Sequence, residues 1–427
     1  MLAIAIAGLG TVGAALARQL RQNTELIEAR AGQPVVLKAV SARDKNRTRD
    51  CDLSGIEWAD DPLALAARPD IDVVVELIGG AEGVARQLAE KTLSGGKHLV
   101  TANKALIAKH GPALAASAEA NHAQLSFEAA VAGGIPVIKA LREGLSGDRV
   151  DTVCGILNGT CNYILTRMRS EKLPFATVLV EAQKQGYAEA DPSSDIDGHD
   201  TANKLAILTS LAFGVRPDIS SIRVEGIRGV TLLDIQFAEE LGCRIKLLGV
   251  ARQTQEGIEQ SVRPTLVSEK SPLASVDGAF NSVLIRARRV GALTLEGRGA
   301  GGDPTANAVT ADIIDIARGS RTSAFCVPSA RLVALRPGKP RPTRFYMRLQ
   351  VQDRPGVVAD IATIMRDEKL SFESLIQRGK SQMDSVPVVI TTHAGDMDAM
   401  RRAVEKIARV PTVMEYPCLI PIEDDDS

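Results

Sequence analysis

An unbroken apolar run, LAIAIA at residues 2 to 7, passes directly into Gly8, Gly10 and Gly13 at G-x-G-x-x-G spacing. Few sequence features constrain a fold more tightly. Apolar residues without polar alternation suit a strand buried on both faces. The glycines then allow a tight turn that opens a helix, whose N-terminal amides and dipole stabilise an anion brought close to the backbone.

The rhythm of the following residues extends that reading. PVVLKAVS, DVVVELIG, KHLVTA and QLSFE are short β-branched or apolar runs separated by amphipathic Ala/Leu segments. Strands alternating with helices predict an α/β domain over residues 1–127, a Rossmann-type doubly wound parallel sheet that binds a dinucleotide. Gly8, Gly10, Thr11, Val12 and Gly13 are the candidate cofactor contacts, Thr11 and Val12 through their amides. The second strand ends in KAVSARDKNRTR, with Ser41 and Ala42 where a ribose-binding carboxylate usually stands, followed by Arg43 and Lys45. A guanidinium there neutralises a 2′-phosphate, so Arg43 points to NADP. Asp44 keeps NAD open as well, since a shift of register would let it hold a ribose.

Residues 128–302 change to longer helices followed by alternating strands such as SVLIRARRV and ALTLEG, which predicts an α+β domain; that it carries catalysis and dimerisation is implied only by the chain's likeness to a known family. A further helix follows within 303–326, and the same likeness implies that it returns to close the nucleotide domain. The Pro- and Arg-rich run at 327–343 reads as an extended linker, and residues 344–427 as a separate domain. Within it, residues 344–420 give the order βαββαβ, a ferredoxin-like pattern. The tail EDDDS is a solubilising end.

Composition narrows the partners. The formal net charge is −1 and only 13 aromatics stand among 427 residues, so there is no basic stripe or stacking platform for nucleic acid. No apolar stretch approaches the roughly 18 residues needed to span a bilayer, and a membrane partner is not expected. Six scattered cysteines without a C-x-x-C pair, and five histidines away from ligand spacing, predict reduced thiols, a cytoplasmic location and no zinc site.

The chemistry concentrates in GYAEADPSSDIDGHDTANK, residues 186 to 204, which carries Glu189, Asp191, Asp195, Asp197, Asp200 and Lys204 ahead of the apolar run LAILTSLAF. A solvated acidic loop is the plain reading. A calcium loop fails, because Gly198 at its sixth position would place Lys204 twelfth, where a bidentate Glu is needed. With a helix starting near His199, Asp200 and Lys204 fall four apart on one face, and an ammonium beside a carboxylate at the edge of a core suits carbonyl reduction. Lys104, in VTANKALIA, follows a strand and so faces the crevice at the strands' carboxyl ends.

Ala182, Gly186, Tyr187, Ala188, Asp191, Pro192, Asp195, Ile196, Gly198, Asp200 and Lys204 stand at the spacing of the homoserine dehydrogenase signature, and the chain resembles that family over nearly its whole length. ELIGG from Glu76, FEAAVAGGIPVIKALREGL from Phe127, GILNGTCNYIL from Gly155 and GAGGDPTANAV from Gly299 are further family-like runs. The resemblance implies reversible hydride transfer between NADPH and L-aspartate 4-semialdehyde, giving L-homoserine. Lys204, Lys104 and Asp200 would be catalytic, with the proton donor either Lys204 or Lys104. Glu189, Asp195 and Asp200 would bind substrate, and Lys104, Gly186 and Gly302 would adjoin the cofactor. It also implies a monovalent cation, Na+, on Glu128 and the carbonyls of Val131, Gly133 and Ile135. The DRPGV turn makes the last domain similar to an ACT module, which implies regulation by an amino acid such as L-threonine, in a homodimer or homotetramer. Two alternatives stay open: another Rossmann dehydrogenase of an amino-acid pathway, and a non-enzymatic NADP- and amino-acid-sensing regulator.

Overall fold

The computed structural model describes residues 1–377 and 385–423, so the acidic tail lies outside the described residues from position 424. Strands β1 (Leu2–Ala7), β2 (Val35–Ser41), β3 (Glu57–Trp58), β4 (Val73–Glu76), β5 (His98–Thr101) and β6 (Leu125–Ser126) form one sheet in the order β3-β2-β1-β4-β5-β6. All its pairings are parallel. Strand order reverses between β1 and β4, which places a ligand crevice at the carboxyl ends of those strands. Ala7, Glu76 and Thr101 are in register there. Helix Gly302–Ala317 returns from the far side of the chain to join this core, burying Ala306, Val309 and Ile313 in one cluster with Leu16 and Leu20 of helix Thr11–Gln22.

The other strands are β7 (Val150–Ile156), β8 (Arg223–Val224), β9 (Cys243–Gln253), β10 (Ile258–Ser268), β11 (Phe280–Ala287), β12 (Gly291–Arg298), β13 (Arg344–Gln352), β14 (Phe372–Gln377), β15 (Ser385–Thr392) and β16 (Cys418–Glu423). They make a single sheet, β12-β11-β7-β9-β10-β16-β13-β15-β14, with β8 beside β10. Its last four strands and the helices Val357–Asp367 and Met397–Ile407 give the βαββαβ order in the spatial arrangement fourth-first-third-second, a ferredoxin-like module.

This module is not set apart as the sequence reading expected. β16 pairs with β10 in parallel, Leu266 against Ile422, so one sheet runs through both parts. The proline-rich segment lies along that sheet: Ile258 N donates to Arg336 O at 2.8 Å and Gly338 N to Ile258 O at 2.9 Å. Sharing β16 satisfies the edge groups of β10. Periodicity within one strand does not reveal that partner.

Alternation along β13 sends Phe345, Met347 and Leu349 into the module's own core, and Tyr346 and Arg348 the other way. Both reach Asp234, in the first turn of helix Leu232–Glu240: Tyr346 Oη donates at 3.0 Å and Arg348 Nε at 2.7 Å. Asp234 Oδ2 meanwhile accepts from the amide and hydroxyl of Thr231, at 2.8 and 2.6 Å, closing a capping box. Burial, then the Asp234 carboxylate, hold the Tyr346 phenol far above its ordinary range. Removing one partner of a buried ion pair is costly because the other is stranded. Asp234→Ala should therefore destabilise the protein by about 3 kcal/mol, and Arg348→Met in the same chain should recover part of that loss. Urea unfolding of the single and double variants checks both; a single variant with wild-type stability would mean that Asp234 does not hold the module in place.

Candidate active site

β1 delivers the glycine turn to the crevice. Gly8 has φ +104°, and a Cβ there would stand 2.4 Å from Leu77 O, so a side chain is excluded by both backbone and space. A Cβ on Gly13 would meet Gly8 O at 2.0 Å, which fixes helix against strand. At Gly10 nothing lies within 4 Å of that position. Gly10 is the N-cap of helix Thr11–Gln22, which has no side-chain cap and no acidic residue in its first turn, so the amides of Thr11, Val12 and Gly13 face an open cradle. A pyrophosphate fits such a cradle. Gly302 lies against it, the position of a Cβ being 3.2 Å from Thr11 O. The end of β2 is tied to the same turn by Gly8 N donating to Ser41 O at 2.8 Å, and Arg43 is exposed two residues further on.

Two segments of different origin close on Asp200. Gly198, with φ +87°, caps helix His199–Phe213 and sets Asp200 in its first turn and Lys204 one turn later. Lys204 Nζ donates to Asp200 Oδ2 at 2.8 Å and to Leu157 O at 2.7 Å. From the nucleotide sheet, Lys104 opens helix Lys104–Ala120, just past β5, and its Nζ stands 2.6 Å from Asp200 Oδ1. Each oxygen of one carboxylate, only 4% exposed, thus holds an ammonium. Burial alone would raise the Asp200 carboxyl. The ammoniums of Lys204 and Lys104 outweigh it and hold Asp200 well below the usual carboxylate range.

Asp195 is joined to this pair. Asn158 Nδ2 donates to Asp195 Oδ1 at 2.8 Å and to Asp200 Oδ2 at 2.9 Å. Burial raises the Asp195 carboxyl, and the Asn158 hydrogen bond only partly offsets it. Gly186 and Glu189 stand instead in an exposed loop, and no ion pair links Glu189 to the Asp200 cluster among the described residues. That loop is pinned by Thr160 Oγ1 donating to Tyr187 O at 2.8 Å, and Tyr187 stacks on Tyr163 with ring centroids 4.3 Å apart.

Glu128, Val131, Gly133 and Ile135 lie in one turn. Glu128 is buried, and its two oxygens accept from Ile138 N at 2.9 Å and Lys139 N at 2.8 Å. Burial first, then the nearby Asp312 carboxylate, push its carboxyl up to about 8. Lys139 Nζ stands 3.8 Å from Asp312 Oδ1 and offsets part of this negative charge, and one carboxylate with adjacent carbonyls is a hard oxygen donor set that fits a small cation. The two amide bonds also give Glu128 a structural task of its own.

Sequence reasoning did not single out Asn158, Leu157, Asn103, Glu76 or Arg49. Asn158 is the N-cap of helix Gly159–Glu171, its Oδ1 accepting from Cys161 N at 2.8 Å. Asn103 likewise caps the Lys104 helix, and its Nδ2 donates to Gly80 O at 2.7 Å. Glu76, fully buried, accepts from Thr101 Oγ1 at 2.6 Å and from the amides of Ile78 and Gly79 at 2.8 and 3.0 Å, bracing the ELIGG turn. Arg49 donates to Leu9 O at 3.1 Å and lies over Trp58, fastening the loop after β2 to the glycine turn. An Asn directly after a strand and before a helix signals a cap. That signal could have found Asn158 and Asn103; nothing local marks Leu157.

Comparison with known proteins agrees with this geometry. Residues 8–128 match the family model for the homoserine dehydrogenase NAD binding domain, and residues 136–314 that for homoserine dehydrogenase. A homoserine dehydrogenase from Neisseria gonorrhoeae is 43% identical over 428 residues, 98% of each chain. The crystal structure of one from Thiobacillus denitrificans is 41% identical, with a TM-score of 0.92 over 99% of this chain and 98% of that one. A hyperthermophilic archaeal homoserine dehydrogenase in complex with NADPH is 27% identical, with a TM-score of 0.65 over 75% of this chain and 99% of that one. With the glycine cradle and the Asp200 cluster at one crevice, this chain belongs to the homoserine dehydrogenase family.

Proposed function

We propose that this chain interconverts L-homoserine and L-aspartate 4-semialdehyde by reversible hydride transfer with a nicotinamide dinucleotide. The observation that carries the reading is the pair of ammoniums, Lys104 and Lys204, on the two oxygens of the buried Asp200 at the edge of a nucleotide-type sheet. Reduction of an aldehyde builds negative charge on its oxygen, which calls for a cation and a proton source. Lys204 spends two of its three N–H groups on Asp200 and Leu157, which leaves one for the substrate oxygen. It is therefore the proton donor, with Lys104 beside the nicotinamide and the substrate, and Asp200 orienting both. The nicotinamide ring, when bound, supplies or accepts the hydride. Gly8, Gly10, Thr11, Val12, Gly13, Gly186 and Gly302 approach the cofactor by their backbones, and Arg43 selects NADP over NAD. Glu189 and Asp195 receive the substrate's ammonium group.

Further parts of the reading rest on family likeness. A sodium ion held by Glu128 and the carbonyls of Val131, Gly133 and Ile135 would compensate buried charge and stiffen their turn. The C-terminal module is an ACT domain that binds an end-product amino acid, L-threonine first among the candidates. Its helix Val357–Asp367 starts at Gly356 without a side-chain cap, which leaves amides for a carboxylate, although Asp360 of its first turn competes for the same positive end. The enzyme works as a homodimer or homotetramer.

Homoserine-dependent reduction of NADP, followed by absorbance, tests the activity; a purified protein without it would refute the reading. Lys204→Ala should lower turnover by at least ~10²-fold with dinucleotide binding nearly intact. Near-normal turnover would transfer the proton to Lys104. Arg43→Ala should raise KM for NADP much more than KM for NAD; equal effects would make it a surface charge. Gly10→Ala should fold normally yet bind dinucleotide poorly, whereas Gly8→Ala should lower Tm, because only at Gly8 would the new methyl meet backbone. Calorimetry and thermal melts separate the two.

A further inference from the structure

The least expected member of the site is an uncharged side chain. Asn158 is 5% exposed and stands two residues past the end of β7. Its carboxamide is used at both ends. Oδ1 caps helix Gly159–Glu171 through Cys161 N, and both Nδ2 hydrogens are taken by carboxylates, one on Asp195 and one on Asp200. The amide cannot be reversed without turning its oxygen toward two carboxylates and its donors toward a backbone N–H. One residue earlier, Leu157 O holds the Lys204 ammonium. Consecutive residues therefore fix the cation through a carbonyl and the two anions through an amide.

Their surroundings explain why two carboxylates so close together need such a clamp. Asp200 is compensated by Lys104 and Lys204, whereas Asp195 takes only the Asn158 bond on its side chain among the described residues. The charged groups facing the pair are Lys104 from helix Lys104–Ala120 and Lys204 from helix His199–Phe213, while the Cys161 thiol sits on the Asp195 carbonyl at 3.2 Å. Without a donor between them the carboxylates would repel, and Asp200 would turn from the geometry in which each oxygen meets one lysine.

We propose that Asn158 is a positioning residue of the hydride-transfer site, a neutral clamp that sets the separation of Asp195 and Asp200 and so keeps both lysines aimed at the reacting oxygen. The proposal rests on the homoserine dehydrogenase reading. Its work is electrostatic and geometric, and is distinct from capping a helix.

Two substitutions separate these tasks, because Ser and Asp can both cap a helix while neither can donate to two carboxylates. Asn158→Ser should lower kcat/KM for homoserine about 10- to 100-fold, the scale expected when reacting groups are displaced. Its Tm and its KM for NADP should stay near those of the wild type. Asn158→Asp adds a third carboxylate, which raises the proton affinity of the group, so its acidic limb in the pH profile of kcat/KM should move to higher pH, and further than in the Ser variant. Wild-type kcat/KM with an unmoved acidic limb in either variant overturns the proposal. So does a loss of NADP binding or of Tm as large as the loss of kcat/KM, which would make Asn158 a structural cap only. A wild-type protein that fails to reduce NADP with homoserine refutes the proposed activity instead, so the two failures are distinguishable.

Discussion

Asp200 is the point on which the architecture converges. Its carboxylate is buried, and a buried carboxylate is tolerated only when opposite charge and hydrogen bonds replace the water it has lost. Those partners come from three separate stretches. Lys104 follows β5 of the parallel sheet, Lys204 lies one turn further along the helix of Asp200, and Asn158 follows β7 of the second sheet. The ionised state of Asp200 thus depends on the two halves of the molecule being correctly apposed. The same apposition brings the glycine cradle and the lysines to one crevice, so assembly of the domains and assembly of the site are a single event.

Much of this was legible in the residues because the governing rules are local. A two-sided apolar strand followed by G-x-G-x-x-G requires the turn that β1 makes, and the spacing of Asp200 and Lys204 requires a shared helix face. Strand alternation along 344–420 likewise contained the βαββαβ order. What stayed hidden involves partners distant in sequence. Lys104 and Asp200 are 96 positions apart, and no periodicity predicts that their side chains meet. Tyr346 and Asp234 are 112 apart, and Arg348 adds the charge that Tyr346 lacks. Asn158 was hidden for another reason: its cap role is local and visible, but its donors act across the fold.

The pairing of β16 with β10 alters how the C-terminal module should be understood. A module on a free linker could be removed without consequence for the remainder. Here its removal would strip β10 of a neighbouring strand, take Ile420 and Ile422 out of the core they share with Val262 and Leu266, and leave Asp234 without Arg348 and Tyr346. Exposed strand edges and apolar residues favour association. The proline-rich segment is therefore a strap along the sheet, and indifference of the catalytic part to its loss is not to be expected from this packing.

The same packing supplies a physical route between the module and the chemistry. Asp234 lies in the first turn of helix Leu232–Glu240, and that helix packs on helix Gly159–Glu171, whose cap is Asn158. A shift of β13 against Asp234 would move the first helix, press on the second, and reach the amide that holds Asp195 and Asp200. Packed helices transmit such shifts because interiors are nearly incompressible. Contact alone is not coupling, which requires the module to have two arrangements that a ligand binds unequally. The arrangement nevertheless specifies what such a ligand would have to change. It need not touch either lysine, since a small rotation of Asn158 would alter the spacing of the two carboxylates and, through Asp200, the aim of both ammoniums.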